Sequence, residues 1–271
     1  MVVDSHAHVW DMHSDSYPWQ PSFNYVPTFA ASPKDLLDAM DDVGVDYAIL
    51  VQPSIYGYDH RFLLDTVQTH RDRFLPLGLI DPARPEAPTE LAGLVEQGCV
   101  GVRVNLSLDA DEAASQMARD AWARLETLGV PVCVRATPAH HGLVTEILTR
   151  FPRLDVVIDH LELPDPGGIR EAIERLAELA GYERCVIKVA GLARLSRASA
   201  PFPDLWPVVE AAFELFGPSR LLWGSDFPGA DSGYAYVDEL EAIQAMPFVS
   251  ADNGRIVMSV TPRRLWGEPA R

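Results

Sequence analysis

The stretch Asp155-Val-Val-Ile-Asp-His-Leu161 is a short β-branched run that ends in an acid and an imidazole. After it, Ile169–Ala180 sets Ile169, Ala172, Ile173, Leu176 and Leu179 at helical spacing, Gly181 follows as an expected C-cap, and Cys185–Gly191 reads as the next strand. The same unit recurs along the chain. Strand-like runs at Val2–Trp10, Asp46–Pro53, Phe74–Ile80, Val100–Asn105, Pro131–Ala136, Asp155–Leu161, Cys185–Gly191 and Leu221–Phe227 alternate with helix patterns that include Pro33–Val43, Ala113–Leu128, Gly142–Phe151 and Leu205–Phe216. Successive strands start about 31 residues apart, the length of one strand-helix unit. Eight such units predict an α/β fold, a (β/α)8 TIM barrel formed as a single domain over residues 1–271. Gly44, Gly98, Gly129, Gly181 and Gly217 each follow a helix pattern, where left-handed C-caps are expected. A last helix pattern, Asp252–Trp266, packs under or beside the barrel in this reading.

Composition narrows the function class. Hydrophobic residues make up 48% of the chain and charged residues 23%, so the chain can bury a large core. Its 22 basic and 39 acidic residues leave a net charge of −17, and Lys34 and Lys188 are the only lysines. Nucleic acids and anionic membranes, which recruit clustered cations, are therefore not expected as partners; a small-molecule substrate is. Cys99, Cys133 and Cys185 sit in or beside apolar runs and read as reduced core residues. The N-terminal Met-Val-Val-Asp-Ser-His has no basic segment leading into an apolar stretch, and no run approaches a membrane span, so a cytoplasmic location is expected. Oligomeric state stays open, a homo-oligomer included.

Chemistry in such a barrel belongs at the C-terminal ends of the strands. His6 and His8, two apart on the first strand, share a face, and the same period adds Asp4. His160 ends the sixth strand and Asp226 the eighth, which closure makes the neighbour of the first. Converging imidazoles and a carboxylate suit either a divalent metal or metal-free catalysis in which Asp226 takes a proton from water. Arg103 and Arg135, at the fourth and fifth strand ends, are placed to grip substrate oxygens, the alternative for each being a buried ion pair. Lys188 reads as an ion-pair residue in preference to a Schiff-base lysine. Trp10 and Tyr56 would supply flat pocket walls, as would Tyr17 and Trp19 unless these only pack the loop. His13, His60 and His70 read as surface or rim residues, with His60 the nearest to the pocket. The irregular segments Asp11–Ala31, Ser54–Asp59 and Ser196–Pro203 are expected at the rim, where specificity resides.

Five ordered motifs also resemble a known family: Val-Asp-Ser-His-Ala-His-Val-Trp-Asp at Val3–Asp11, Val-Gln-Pro-Ser-x-x-Gly-x-Asp at Val51–Asp59, Gly-Val-Arg-Val-Asn at Gly101–Asn105, Val-Ile-Asp-His-Leu at Val157–Leu161 and Gly-Ser-Asp-Phe-Pro at Gly224–Pro228. Over essentially its full length the chain resembles the amidohydrolase superfamily, in particular its branch of 2-pyrone-4,6-dicarboxylate and sugar-acid lactonases. The resemblance implies hydrolysis of a small lactone, with His6, His8 and His160 matching the family histidines and Asp226 matching the acid that activates water. The resemblance leaves open whether a single divalent metal, zinc or manganese, is held by His6, His8 and Asp226, because the lactonase branch includes members that need none.

The departures are informative too. The fourth strand carries Arg103 where two-metal members resemble one another in a bridging carboxylated lysine. The fifth carries Cys133, Arg135 and Thr137 where single-metal members, decarboxylases among them, place a histidine; His140 and His141 follow only in the loop. The family's asparagine near the last helix is missing from Met258–Arg264. A metal-dependent decarboxylase and a non-catalytic barrel are thus the weaker alternatives to a lactonase. The acidic surface favours a neutral sugar lactone over a dicarboxylate.

Overall fold

The computed structural model describes residues 1–12, 14–20, 26–106, 116–229 and 235–270. Eight parallel strands form one sheet in chain order: β1 (Val3–Ala7), β2 (Tyr47–Val51), β3 (Phe74–Ile80), β4 (Gly101–Asn105), β5 (Val132–Arg135), β6 (Val156–Ile158), β7 (Cys185–Ala190) and β8 (Leu221–Gly224). The sheet closes through residues just beyond its first and last strands. Asp226 donates its backbone N–H to His6 O and His8 donates to Phe227 O, each at 2.8 Å. Helices Pro33–Val43, Arg61–Thr69, Ala87–Glu96, Gln116–Leu128, His141–Arg150, Ile169–Ala180, Trp206–Phe216 and Tyr236–Ala245 follow the strands in turn, as a (β/α)8 barrel requires. Covered by helices outside and filled inside, strands such as Tyr47–Val51 and Val156–Ile158 read as apolar runs, and the polar residues of the others are buried with them. Among the described residues no helix is long and apolar enough to cross a membrane.

Local signals fixed several boundaries. Ser32 and Asp35 form a capping box at the start of Pro33–Val43, and Gly44 ends that helix in the left-handed region. Gly181 departs from expectation, since it caps its helix at φ −65°, within the ordinary helical range. Asp252–Trp266 is continuous helix built of Ala251–Arg255, a π turn at Ile256–Val260 and Thr261–Trp266.

One parity prediction fails. The register of β1 against β2 shifts between Asp4 and Ala7, so alternation does not run through the strand. Val3 packs in the lumen, whereas the Asp4 carboxylate accepts hydrogen bonds from the Tyr236 hydroxyl of an outer helix at 2.8 Å and from Ser225 N at 2.9 Å. The Asp4 carboxylate therefore serves the backbone, accepting also from His6 N at 3.0 Å, and does not join the His6 and His8 imidazoles.

The lumen is layered. Val3, Tyr47, Ile49, Val51, Leu77, Cys133, Val157, Val186 and Leu222 fill it, with Trp266 of the final helix packed against them. Lys188 stands over the Trp266 ring, its Nζ 5.4 Å from the centroid. Asp159 lies between two cations, with Lys188 Nζ 3.2 Å from Oδ1 and Arg103 Nε 2.8 Å from Oδ2; all three residues are buried. Replacing Asp159 by the near-isosteric Asn leaves two buried cations without a counter-charge and should cost about 3–5 kcal/mol of folding stability. Urea denaturation measures this, and an unchanged midpoint would show that the pairing does not support the barrel.

Candidate active site

His6 and His8 project into the mouth of the barrel with their Nε2 atoms 3.1 Å apart. Partners select each tautomer. His8 Nδ1 lies 2.7 Å from Val51 O and His160 Nδ1 lies 2.9 Å from Ala190 O. A carbonyl only accepts, so both rings carry their proton on Nδ1 and turn an Nε2 lone pair toward the site. His6 has two claimants at Nδ1: Lys188 Nζ donates from 3.1 Å, and Asp159 Oδ1 stands at 3.5 Å and favours the opposite tautomer. Asp226 Oδ1 lies 3.6 Å from His6 Nε2, 3.8 Å from His8 Nε2 and 3.8 Å from His160 Nε2. His160 Nε2 is buried with no hydrogen-bond partner among the described residues.

Two backbone features aim these groups. His8, His160 and Asp226 all lie beyond the last residues of their strands, Ala7, Ile158 and Gly224. His160, Leu161, Glu162 and Leu163 run through the left-handed region at φ 55°, 56°, 61° and 52°, which for residues with a Cβ costs roughly 1–2 kcal/mol each. Tertiary ties hold that turn: Asp159 to Lys188 and Arg103, and Glu162 to His141 at 2.8 Å and Arg175 at 2.8 Å. Asp226 is also left-handed, at φ 59°, and leans on Gly191, where a Cβ would stand 2.7 Å from Asp226 Oδ2. Gly224 is equally constrained, since a Cβ there would meet the backbone N of His6 at 2.9 Å.

Burial, aided by nearby cations, determines the charge state. Burial pushes His8 down to about 4 with help from Arg103, and His160 down to about 4 with help from Arg194. Burial and Lys188 hold His6 well below its ordinary value. The imidazoles are therefore neutral near pH 7. Burial alone would raise Asp226, yet its carboxyl sits below the usual range, because His160, His6 and His8 charge first as pH falls and Arg194 is beside it. Asp159 is likewise buried, but Lys188 and Arg103 keep it ionised. Burial pushes the Cys133 thiol up to about 11, so the fifth strand offers a neutral thiol and no thiolate ligand. The Asp226 carboxylate and the Nε2 lone pairs of His8 and His160 have the donor chemistry of a cation site, and His6, whose Nε2 carries the proton of its 3.1 Å contact with His8 and would release it on binding a cation, completes with His8 and Asp226 a set of ligand atoms all within 4.8 Å of one another.

The remaining sequence expectations divide. Arg103 forms the buried ion pair with Asp159 through Nε, and no other hydrogen bond of its guanidinium is found among the described residues. Arg135 is half-buried, its Nη1 3.4 Å from Asn105 Oδ1. Burial, then Arg103 and Arg194, pull it down to about 10. Lys188 is the ion-pair residue expected. Trp10 and Tyr56 are buried in the rim: Trp10 Nε1 donates to Phe29 O, and Tyr56 accepts from Asp11 N and stacks on Phe62. Tyr17 packs the loop, its hydroxyl on Asp65. His60 Nε2 accepts from Leu79 N and so braces β3. His140 binds Thr137 and His141 binds Glu162, so neither replaces the missing fifth-strand ligand. His13 lies outside the described residues.

Arg194 was missed by the sequence reading. Its Nε stands 3.5 Å from Asp226 Oδ2, and its only local signal is a cation three residues past the glycine that ends the seventh strand pattern.

The chain resembles several known proteins. The chain is 30% identical to L-fucono-1,5-lactonase of Burkholderia ambifaria over 234 residues, covering 83% of this chain and 80% of that protein. It is 30% identical to 4-sulfomuconolactone hydrolase of Rhizobium radiobacter over 238 residues, covering 85% and 76%. A Pseudomonas putida protein provisionally assigned as a 2-pyrone-4,6-dicarboxylic acid hydrolase superposes with a TM-score of 0.85 at 28% identity, over 98% of this chain and 97% of that one. The family model described as amidohydrolase matches residues 3–267, and with the histidine pair, the sixth-strand histidine and the eighth-strand aspartate at one mouth, the chain belongs to the amidohydrolase family.

Proposed function

We propose that this protein hydrolyses a small lactone bearing a carboxylate or sulfonate, with Asp226 as the general base. The observation that carries the reading is the ionised, buried Asp226 carboxylate held within 3.8 Å of three imidazoles and 3.5 Å from a guanidinium at the barrel mouth. Asp226 takes a proton from water as the water oxygen bonds to the ring-ester carbonyl carbon. Collapse of the tetrahedral oxyanion breaks the ring C–O bond, and the proton held by Asp226 passes to the leaving oxygen, giving an open hydroxy acid. His8 and His160 present lone pairs, so hydrogen bonds to the oxyanion fall to Arg103 and Arg194. His6, His8 and Asp226 are the residues that would hold one divalent metal, zinc or manganese, and a bound metal would polarise the carbonyl and acidify water.

The substrate's charge follows from the same residues. At the mouth and directly beneath it, Arg103, Arg135, Arg194 and the lumen's Lys188 outnumber the carboxylates Asp159 and Asp226 among the described residues, with the imidazoles neutral. This local excess of positive charge reverses the preference for a neutral lactone drawn from the acidic surface. The relatives' names span both classes.

Asp226→Asn should lower kcat by about 10²–10⁴-fold with an unchanged circular dichroism spectrum; retained turnover would remove Asp226 as the base. In a pH-indicator assay, 2-pyrone-4,6-dicarboxylate or 4-sulfomuconolactone should turn over with higher kcat/KM than L-fucono-1,5-lactone; the reverse order would overturn the anionic assignment. Calorimetry on chelator-treated protein should show a single equivalent of zinc bound, lost in His8→Ala; no binding in the parent protein would mean that these lone pairs serve the substrate alone.

A further inference from the structure

The helix Tyr236–Ala245 lies outside the barrel, yet two of its side chains reach the frame around Asp226. Tyr236 donates to Asp4 Oδ2, and Asp4 Oδ1 accepts from Ser225 N, fixing the residue before Asp226. Glu239 acts on the opposite flank. It is fully buried, and its two carboxylate oxygens accept the backbone N–H groups of Leu192, at 3.0 Å, and Ala193, at 2.7 Å. These open the helical turn Leu192–Leu195, which follows the left-handed Gly191 that abuts Asp226 and carries Arg194 to Asp226 Oδ2. Trp223 of β8 anchors the Glu239 backbone, donating from Nε1 to its carbonyl at 3.0 Å.

We propose that Glu239 is a positioning residue for hydrolysis: by bridging the two N–H groups it holds the Leu192–Leu195 turn so that Arg194 stays against Asp226. A buried carboxyl needs compensation, and these two donors supply it only where the turn sits as observed. The side chain makes no hydrogen bond or ion pair to Asp226, and burial, with Asp226 and Asp4 nearby, pushes its carboxyl up to about 8, so near pH 7 it works as a largely neutral acceptor whose influence on the reaction passes through the turn that carries Arg194. The proposal rests on the reading of Asp226 as the base.

Glu239→Gln tests it, because the amide sets an NH2 against one of the two N–H donors while keeping shape. With whichever of the three lactones above has the highest kcat/KM as substrate, Glu239→Gln should lower kcat about tenfold, from the lost backbone hydrogen bond, with KM within about twofold of the parent value. Arg194→Met should also lower kcat, and the double variant should be no slower than Arg194→Met alone, since both remove the same contact. Multiplying losses would show that Glu239 merely supports the fold, and would overturn the proposal. Should Glu239→Gln not fold, Glu239→Asp, with both acceptors on a shorter stem, is put through the same cycle. Asp226→Asn run alongside separates the two readings. Turnover surviving in it removes the base and the proposal together, whereas an inactive Asp226→Asn with multiplying losses in the cycle removes the proposal alone.

Discussion

The site rests on one buried carboxylate. Asp159 lies between Lys188 and Arg103 inside the barrel, where an unpaired ion of either sign would cost several kcal/mol. Two links run upward from this group. Lys188 reaches His6 Nδ1, and Asp159 is covalently next to His160. The charge balance of the lumen and the orientation of the imidazoles at the mouth are thus one arrangement. A change at Asp159 would be felt by His6 through space and by His160 through the chain. His6 is the sensitive member, because Lys188 and Asp159 ask for opposite tautomers of its ring while His8 and His160 are each fixed by a carbonyl.

The strained backbone depends on the same support. Four successive left-handed residues from His160 to Leu163 include no glycine or asparagine, so no local propensity favours the turn. It persists because each end is tied, Asp159 to the lumen cations and Glu162 to His141 and Arg175. The result places His160 Nε2 across the mouth from β1, a position that continuing the strand past Ile158 would not give. Asp226 follows the same logic on β8, where its left-handed φ and the bare face of Gly191 let the carboxylate settle among the imidazoles.

Much of this was legible in the sequence wherever the signal is local. Pro33–Val43, Ile169–Ala180 and Phe74–Ile80 were readable to the residue, because apolar spacing, caps and β-branched runs depend on near neighbours. The histidine pair, His160 and Asp226 were readable from their places at strand ends. Asp4 was not, because the register shift in β1 is a property of two strands and cannot be seen in one. Arg194 and Glu239 were hidden for a related reason. A lone cation in a turn and one acid among several on an amphipathic helix gain meaning only when the loop after β7 meets the helix after β8. Trp10 and Tyr56 show the converse, aromatic residues at strand ends whose polar atoms the rim loop takes for itself.

The net charge and the groups at the mouth point to different substrates for a reason of distance. The surface charges that make up −17 act through water and salt, which screen them beyond about 8–10 Å at physiological ionic strength. Arg103, Arg194 and Lys188 act from within or beside a largely dehydrated mouth, where the same charge is worth several times more. Neutral imidazoles add no charge near pH 7, so the sign of that field is the balance of these cations against Asp159 and Asp226. An anionic lactone would therefore cross an unfavourable but screened outer field and then enter a strong favourable one. The outer field affects its rate of arrival, while its binding and orientation are decided by the guanidiniums at the mouth.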